Sequence, residues 1–369
     1  MVRNQGWLLV AVAALGLGAG ACKKDDAKTE TSDKKVESKD DKKSDDKKAE
    51  ADKKSDDKKT TDNKVEAKPD DTKKTDTKAE AAPPANPNAD DLSLLPVDSE
   101  AVIGINFKQL SSSALWKEFV APKLMTGKAT EGLDKFKKLC GFDPMEQLAS
   151  MSIGMKNLGD KDKPEGAFVV HGFDKTKSMA CFSKEGVKEV EKDGTKVTVD
   201  GDVVVIHAKD GTDLGFTFVN DNTALAVLGP KAKDAAGVKS VASGGSALKS
   251  SPAFVEMYGK INTTDSIWML MNGSSKAFDK MPMGFKLKAV FGSVNVTDGL
   301  TLDGRVRFES ADQAAQLAGI GKSQVAQAAQ FFDKIDIAAD GADVKLSVAM
   351  SNAKLKSLLQ MVGGKLGKM

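Results

Sequence analysis

The uneven distribution of apolar residues constrains the fold of this chain more than any other feature. Between Lys23 and Asp90 the chain consists mostly of Lys, Asp, Glu, Ser, Thr and Ala, without leucine or any aromatic residue. Such a segment cannot bury enough apolar surface to offset the backbone entropy lost on folding, about 1–2 kcal/mol per residue. The sequence therefore predicts a disordered tether over 22–90 and a folded part confined to 91–369.

The charge pattern of this tether argues against nucleic-acid binding. The segment KKSDDKK occurs at 42–48 and again at 53–59, so lysines and aspartates are finely mixed. Interleaved carboxylates cancel the positive field that binding to a polyanion needs, and the whole chain carries a net charge of only +2. We interpret the segment as a spacer, with ends on the order of 45 Å apart on average for a flexible coil.

Residues 1–21 have the order of a secretory leader. Arg3 precedes an apolar stretch over 7–17 and small residues over 18–21, and the apolar stretch is too short for a permanent membrane span. Cys22 follows directly, and AGAC at 19–22 resembles the lipobox of bacterial lipoproteins, although Ala19 stands where leucine is commonest. The resemblance implies that Cys22 is acylated and anchors the mature chain in a membrane. Lys23 after the cysteine implies the outer membrane.

The remainder of the chain predicts an α+β fold. Short apolar runs alternate with Asp-Gly turns, as at 298–299 and 340–341, and helical patterns lie between them. We expect antiparallel sheets with helices packed on one face. The Gly/Ser-rich stretch at 242–251 marks the seam between two halves, 91–243 and 244–369, whose similar order suggests related units.

The start of the folded part adds a second resemblance. The segments LLPVDSEAVIGINFKQLSSSALW and CGFDP, at 94–116 and 140–144, resemble exported lipoproteins of unknown function in myxobacterial-type soil bacteria. That resemblance implies a location in the cell envelope and does not imply any activity.

Two cysteines remain in the folded part, Cys140 and Cys181. An even pair in an exported domain is more often bonded than free, so we predict a disulfide. Two buried thiols are the alternative. A metal site is disfavoured because neither cysteine has another Cys or His at ligand spacing.

The sequence offers little for catalysis. His171 and His207 are the only histidines, each within an apolar strand pattern, and the chain contains no GxSxG, HExxH or CxxC motif. We therefore expect no enzyme activity, no cofactor, no metal and no catalytic residue.

One cluster suggests an apolar ligand: Trp268, Met269, Met271, Met281 and Met283. Methionine fills irregular cores and lines adaptable grooves, whereas its thioether could also bind Cu(I). Alternation along IWMLM separates these side chains onto two faces, so core packing is the first interpretation, a lipid-lining groove the second and copper the third.

Two functional hypotheses follow from these patterns. The first is a lipid-anchored envelope protein with a non-enzymatic binding or scaffolding domain on a flexible tether, whose partner is an envelope protein, peptidoglycan or a lipid. The alternative is a periplasmic carrier or binder of a lipid or another apolar ligand.

Overall fold

A computed structural model describes residues 91–366, apart from 125–127, 159–163, 192–193, 245–246, 276–277 and 279–285. The predicted leader, Cys22, the tether, Met281 and Met283 lie outside the described residues.

The chain before the predicted seam contributes seven strands. A 3-10 turn at Asp91–Ser93 precedes the first of them. The strands are β1 (Ala101–Ile105), β2 (Ser150–Lys156), β3 (Glu165–His171), β4 (Lys196–Asp200), β5 (Val203–His207), β6 (Asp213–Asn220) and β7 (Thr223–Leu228). The helices are α1 (Phe107–Ser112), α2 (Ala121–Leu124), α3 (Lys128–Cys140), α4 (Pro144–Gln147), α5 (Lys175–Ala180), α6 (Lys184–Glu191) and α7 (Ala235–Ala242), with a π-helical turn at Trp116–Val120.

The chain after the seam alternates hairpins and helices. Helix α8 (Pro252–Tyr258) is followed by β8 (Ile267–Asn272), β9 (Ala289–Asn295) and β10 (Leu300–Arg307). Helix α9 (Ala311–Ala328), the hairpin of β11 (Lys334–Asp340) and β12 (Asp343–Met350), and helix α10 (Asn352–Leu366) complete the fold.

All these strands form one 12-stranded sheet in the order β11-β12-β10-β9-β8-β1-β2-β3-β7-β6-β5-β4. Neighbouring strands pair antiparallel throughout. Strand β1 pairs with β2 on one side and with β8 on the other, so the sheet continues across the predicted seam. The division into related halves stays a prediction.

Two hydrophobic clusters lie on opposite faces of this sheet. Successive strand residues point to opposite faces, and we call the side that carries Ile103 face A and the side that carries Val102 face B. The cluster on face A includes Phe107, Trp116, Met151, Phe168 and Phe216. The cluster on face B includes Val169, Leu225, Val238, Leu248 and Trp268.

The α+β class with antiparallel pairing is confirmed, but helices pack on both faces rather than on one. Phe107 and Leu110 of α1 belong to the cluster on face A, whereas Val238 of α7 belongs to the cluster on face B. The reason is visible in β5, where Val203 to Ile206 are consecutively buried instead of alternating. A strand with two apolar faces needs a covering layer on each.

Serine side chains begin two helical segments, and glycines form two of the predicted turns. Ser113 begins the helical segment that includes Trp116, because its Oγ accepts from the Trp116 backbone N–H at 3.1 Å. Ser310 caps α9 by accepting from the Gln313 N–H at 3.3 Å. The two predicted Asp-Gly turns contain Gly299 and Gly341 with positive φ of 104° and 59°, which glycine adopts without a steric penalty.

Candidate functional site

The predicted disulfide between Cys140 and Cys181 is confirmed. Cys140 is the last residue of α3 and Cys181 follows α5, and their Cα atoms are 4.6 Å apart. The bond joins two helical segments that are 41 residues apart in the chain. Cys181 is buried, which fits a structural role for the bond.

The structure separates the predicted apolar lining. Trp268 lies on face B, where it is 1% exposed and packs against Tyr258 with ring centroids 5.2 Å apart. Met269 and Met271 lie on face A, opposite Ile103 and Ala101 of β1. Trp268 therefore belongs to the core, whereas the two methionines face a different surface.

That surface is an apolar trough on face A of β8, β9 and β10. Met269 lies opposite Gly292 of β9, and Gly292 lies opposite Gly304 of β10. Since neither glycine carries a side chain, the row is indented between Met269 and Leu346 of β12. Val290 and Val306 border the indentation on one side, and Val294 and Leu302 border it on the other. We call these residues the face-A trough.

The trough is incompletely covered. Met269 is 36% exposed although β8 lies inside the sheet, and Leu302, Val306 and Leu346 are only half-buried. A Cβ atom at Gly304 would meet Leu302 Cδ2 at 3.3 Å and the Leu346 carbonyl oxygen at 4.0 Å, so only the end of the flexible Leu302 side chain would have to move. The trough can accommodate an apolar group without rearrangement of the backbone.

Sequence reasoning missed a cleft of about 470 Å³ at the opposite end of β3 from His171. Its walls are the loop at 93–98, the start of β3, the end of β7 and the end of α7. The apolar side chains among its lining residues are Leu94, Pro96, Val97, Ala167, Val227, Leu228 and Val241, and the charged ones are Asp98, Lys156, Glu165 and Lys231. These residues come from three distant segments, so no local motif announces the cleft.

An ion-pair network borders this cleft. Lys156 Nζ lies 3.0 Å from Asp98 Oδ2 and 3.2 Å from Glu165 Oε2, and Glu165 also accepts from Asn157 Nδ2 at 3.1 Å. Burial lowers the pKa of Lys156, but its hydrogen bonds to the two carboxylates outweigh that effect and hold the pKa above its ordinary value. The cleft thus offers apolar walls for the body of a small molecule and charged groups for its polar end.

Both histidines are engaged by neighbouring side chains. His171 Nε2 lies 2.8 Å from Asp91 Oδ1, and its Nδ1 lies 3.1 Å from Thr223 Oγ1. This contact joins Asp91, the first described residue, to strand β3 of the sheet. The Asp91 side chain is buried there, with 2% of its surface exposed. His207 Nδ1 lies 2.7 Å from Asp213 Oδ1 on the paired strand β6.

A second charged network fixes α8 to face B. Arg307 Nε donates to Asp343 Oδ1 at 2.6 Å and its guanidinium also binds Glu256 of α8. Lys260 Nζ lies 3.0 Å from Glu256 and 3.2 Å from Asp343, which is 1% exposed. The hydrogen bond from Arg307, opposed by desolvation and supported by Lys260, lowers the pKa of Glu256 to about 2.

The described part of the chain shows neither a membrane-spanning helix nor a metal-binding cluster. Among the helices of the described residues, none is both long and apolar enough to cross a membrane. The same part of the chain contains no cluster of three or more His, Cys, Asp or Glu side chains placed to hold a metal ion.

No protein-family model and no curated protein sequence matches the chain. Three crystal forms of TP0453 are similar in structure, and each match covers 73% of this chain. Form IV has 10% sequence identity and a TM-score of 0.44 over 95% of its own length. Form III has 10% sequence identity and a TM-score of 0.45 over 96% of its own length. Form I has 9% sequence identity and a TM-score of 0.38 over 96% of its own length. Similarity at this level carries no conclusion about the function of this chain.

Proposed function

We propose that the chain is a lipid-anchored protein of the bacterial cell envelope whose globular part is a non-enzymatic binding domain on a flexible tether. The order of charged, apolar and small residues before Cys22 supports the anchor. The composition of 23–90 supports the tether. The proposed location of the anchored chain is the outer membrane.

The cleft beside β3 is the observation on which the binding role depends. It combines half-buried apolar walls, such as Val241, with ion-paired groups at Lys156, and its volume of about 470 Å³ suits a small molecule. The contacts of His171 and His207 with aspartates hold both rings in place, which agrees with structural roles for the two histidines.

Replacement of Cys22 tests the anchor. In the parent chain we expect incorporation of radiolabelled palmitate and recovery in the membrane fraction, whereas Cys22→Ser should lose both. Cys22 lies outside the described residues, and we expect Cys22→Ser to leave the melting temperature of the globular part unchanged. An unlabelled parent chain, or a Cys22→Ser variant that still fractionates with membranes, would contradict the proposed anchor.

The face-A trough favours a second function, the carriage of a lipid or another apolar ligand. Among the described residues, Val290, Val294, Leu302 and Val306 border its indentation at Gly304, and each methylene buried there would contribute about 0.8 kcal/mol. The cleft suits a compact ligand with a polar end, whereas the trough suits an acyl chain.

Native mass spectrometry of the full chain, released gently from detergent, distinguishes the two sites. Val241→Trp should fill the cleft and remove a bound small molecule, whereas Gly304→Leu should fill the trough and remove a bound acyl chain. Each variant is the control for the other, and matched melting temperatures show that both fold. If the parent chain carries no adduct under these conditions, small-molecule binding at both sites is contradicted.

A further inference from the structure

The outer edge of β4 has no strand partner among the described residues. Among the described strands, β4 is the last in the sheet and pairs only with β5. The Val197 N–H points away from β5, because it donates to Glu191 Oε1 of α6 at 3.3 Å. Since backbone hydrogen bonds alternate in direction along an antiparallel strand, the peptide groups of Val199 face the same way. This edge can therefore pair with another strand.

The sequence of this edge is complementary to itself. In the strand KVTVD, Lys196, Thr198 and Asp200 lie on face B and are exposed. When two copies pair antiparallel about Thr198, Lys196 of each lies opposite Asp200 of the other, and Val197 lies opposite Val199. Opposite charges and Thr–Thr pairs are favourable across strands. In the same register, the two valines are the residues whose backbone groups face outward.

We propose that the edge of β4 is a dimerisation surface for a second copy of this chain. The two copies pair antiparallel around a two-fold axis at Thr198, and the interface is the same patch on both. Formation of the pair also covers Val199, which is 44% exposed. This inference uses neither the proposed anchor nor the proposed ligand sites.

The opposite edge of the sheet is less suitable for self-pairing. One face of strand β11 carries two acidic residues, Asp336 and Asp340, and one basic residue, Lys334. Two copies of β11 that paired about Asp336 would place the two Asp336 carboxylates opposite each other, which destabilises a cross-strand pair. The charge pattern of β4 has no such conflict.

Glu191 competes with a second copy for the edge of β4. Its carboxylate occupies the Val197 N–H that the second copy would use, so pairing must displace it. The ion pair between Lys239 and Asp200, with an Nζ–Oδ2 distance of 3.1 Å, must also exchange, but both side chains are more than half exposed. Surface ion pairs of this kind contribute little to stability. The dimer is consequently weak in dilute solution and favoured where chains are concentrated.

A cysteine on the two-fold axis tests this pairing in cells that produce the full chain. Residues opposite each other at a non-hydrogen-bonded position have Cα atoms about 4.5 Å apart, a distance that a disulfide can span. Thr198→Cys should therefore give a disulfide-linked dimer on a non-reducing gel. Asp336→Cys, exposed on the other edge, is the matched control and should give at least fivefold less.

Charge reversal then tests the register. In the Thr198→Cys background, Lys196→Glu should reduce the dimer several-fold because it faces Asp200 of the second copy. Adding Asp200→Lys should restore the dimer, and Glu191→Ala should increase it. Equal crosslinking of Thr198→Cys and Asp336→Cys, or no rescue by the second charge reversal, would overturn the proposal. Since every variant lies on an exposed edge, an unchanged melting temperature confirms folding.

Discussion

At the scale of single residues, two neighbouring glycines in the sheet have different roles. A Cβ atom at Gly292 would lie 2.3 Å from the Asp303 carbonyl oxygen, which belongs to the backbone of the adjacent strand. At Gly304 the nearest atom would be Leu302 Cδ2 at 3.3 Å, the end of a flexible side chain. Gly292 therefore permits the close approach of β9 and β10, whereas Gly304 mainly leaves space in the face-A trough.

This difference predicts opposite responses to alanine. Gly292→Ala should lower the free energy of unfolding by about 1–3 kcal/mol or more, because the backbone must shift. Gly304→Ala should stay within about 1 kcal/mol of the parent, since alanine is the better strand residue and Leu302 can adjust. Urea unfolding of both variants measures the difference. Equal loss of stability in the two variants would contradict the assigned roles.

Glycines inside a helix are difficult to interpret from sequence alone. Gly319 and Gly321 have the low helix propensity expected of a break, yet α9 is continuous over Ala311–Ala328. A Cβ atom at Gly321 would lie 3.0 Å from Ile337 Cδ1, so this glycine lets the helix approach β11. A glycine needed for tertiary contact has the same local sequence signal as one that interrupts a helix.

At the scale of elements, α8 is held on face B by charge as well as by apolar contact. Phe254 and Met257 of this helix are buried in the face-B cluster, and Glu256 binds Arg307 of β10. Burial raises the pKa of Asp343, but hydrogen bonds from Arg307 and Lys260 outweigh that effect and lower it. The network therefore depends on two ionised carboxylates.

The network predicts a loss of stability in acid. The pKa of Glu256 falls from 4.5 to about 2 on folding. The ionised carboxylate therefore stabilises the folded state fully above pH 4.5, and this contribution is lost as the pH falls through about 2. Above pH 4.5, Glu256→Gln should be less stable than the parent, and the difference in stability should shrink toward pH 2. Urea midpoints across this range measure it. A difference independent of pH would show that the charge of Glu256 does not contribute.

Element type was predictable wherever one face of a strand or helix is polar. The hairpin of β9 and β10 has Leu302 and Val306 on face A and Arg305 and Arg307 on face B, as its alternation predicts. The second helical layer was not predictable in this way. Consecutive valines in β5 indicate burial on both faces, but they do not identify which helices cover each face.

At the scale of the whole molecule, long-range pairing decides what the sequence leaves open. The pairing of β1 with β8 joins segments more than 160 residues apart, and no turn signal specifies it. The cleft beside β3 depends on three segments brought together by the same sheet, so its residues were missed. The disulfide was predictable because Cys140 and Cys181 are the only cysteines in 91–369, so they allow only one pair within that part of the chain.

The position of β1 within the sheet has a mechanical consequence. The described part of the chain begins at Asp91, and its first strand, β1, is the sixth in the sheet order, with hydrogen-bonded neighbours on both sides. A force that pulls on the N-terminal side of Asp91 acts on the contact between Asp91 and His171 and on the bridge between Pro96 and Ala247 before it reaches β1. It then acts on an interior strand, where two ladders resist extraction, rather than peeling an edge strand away one bond at a time.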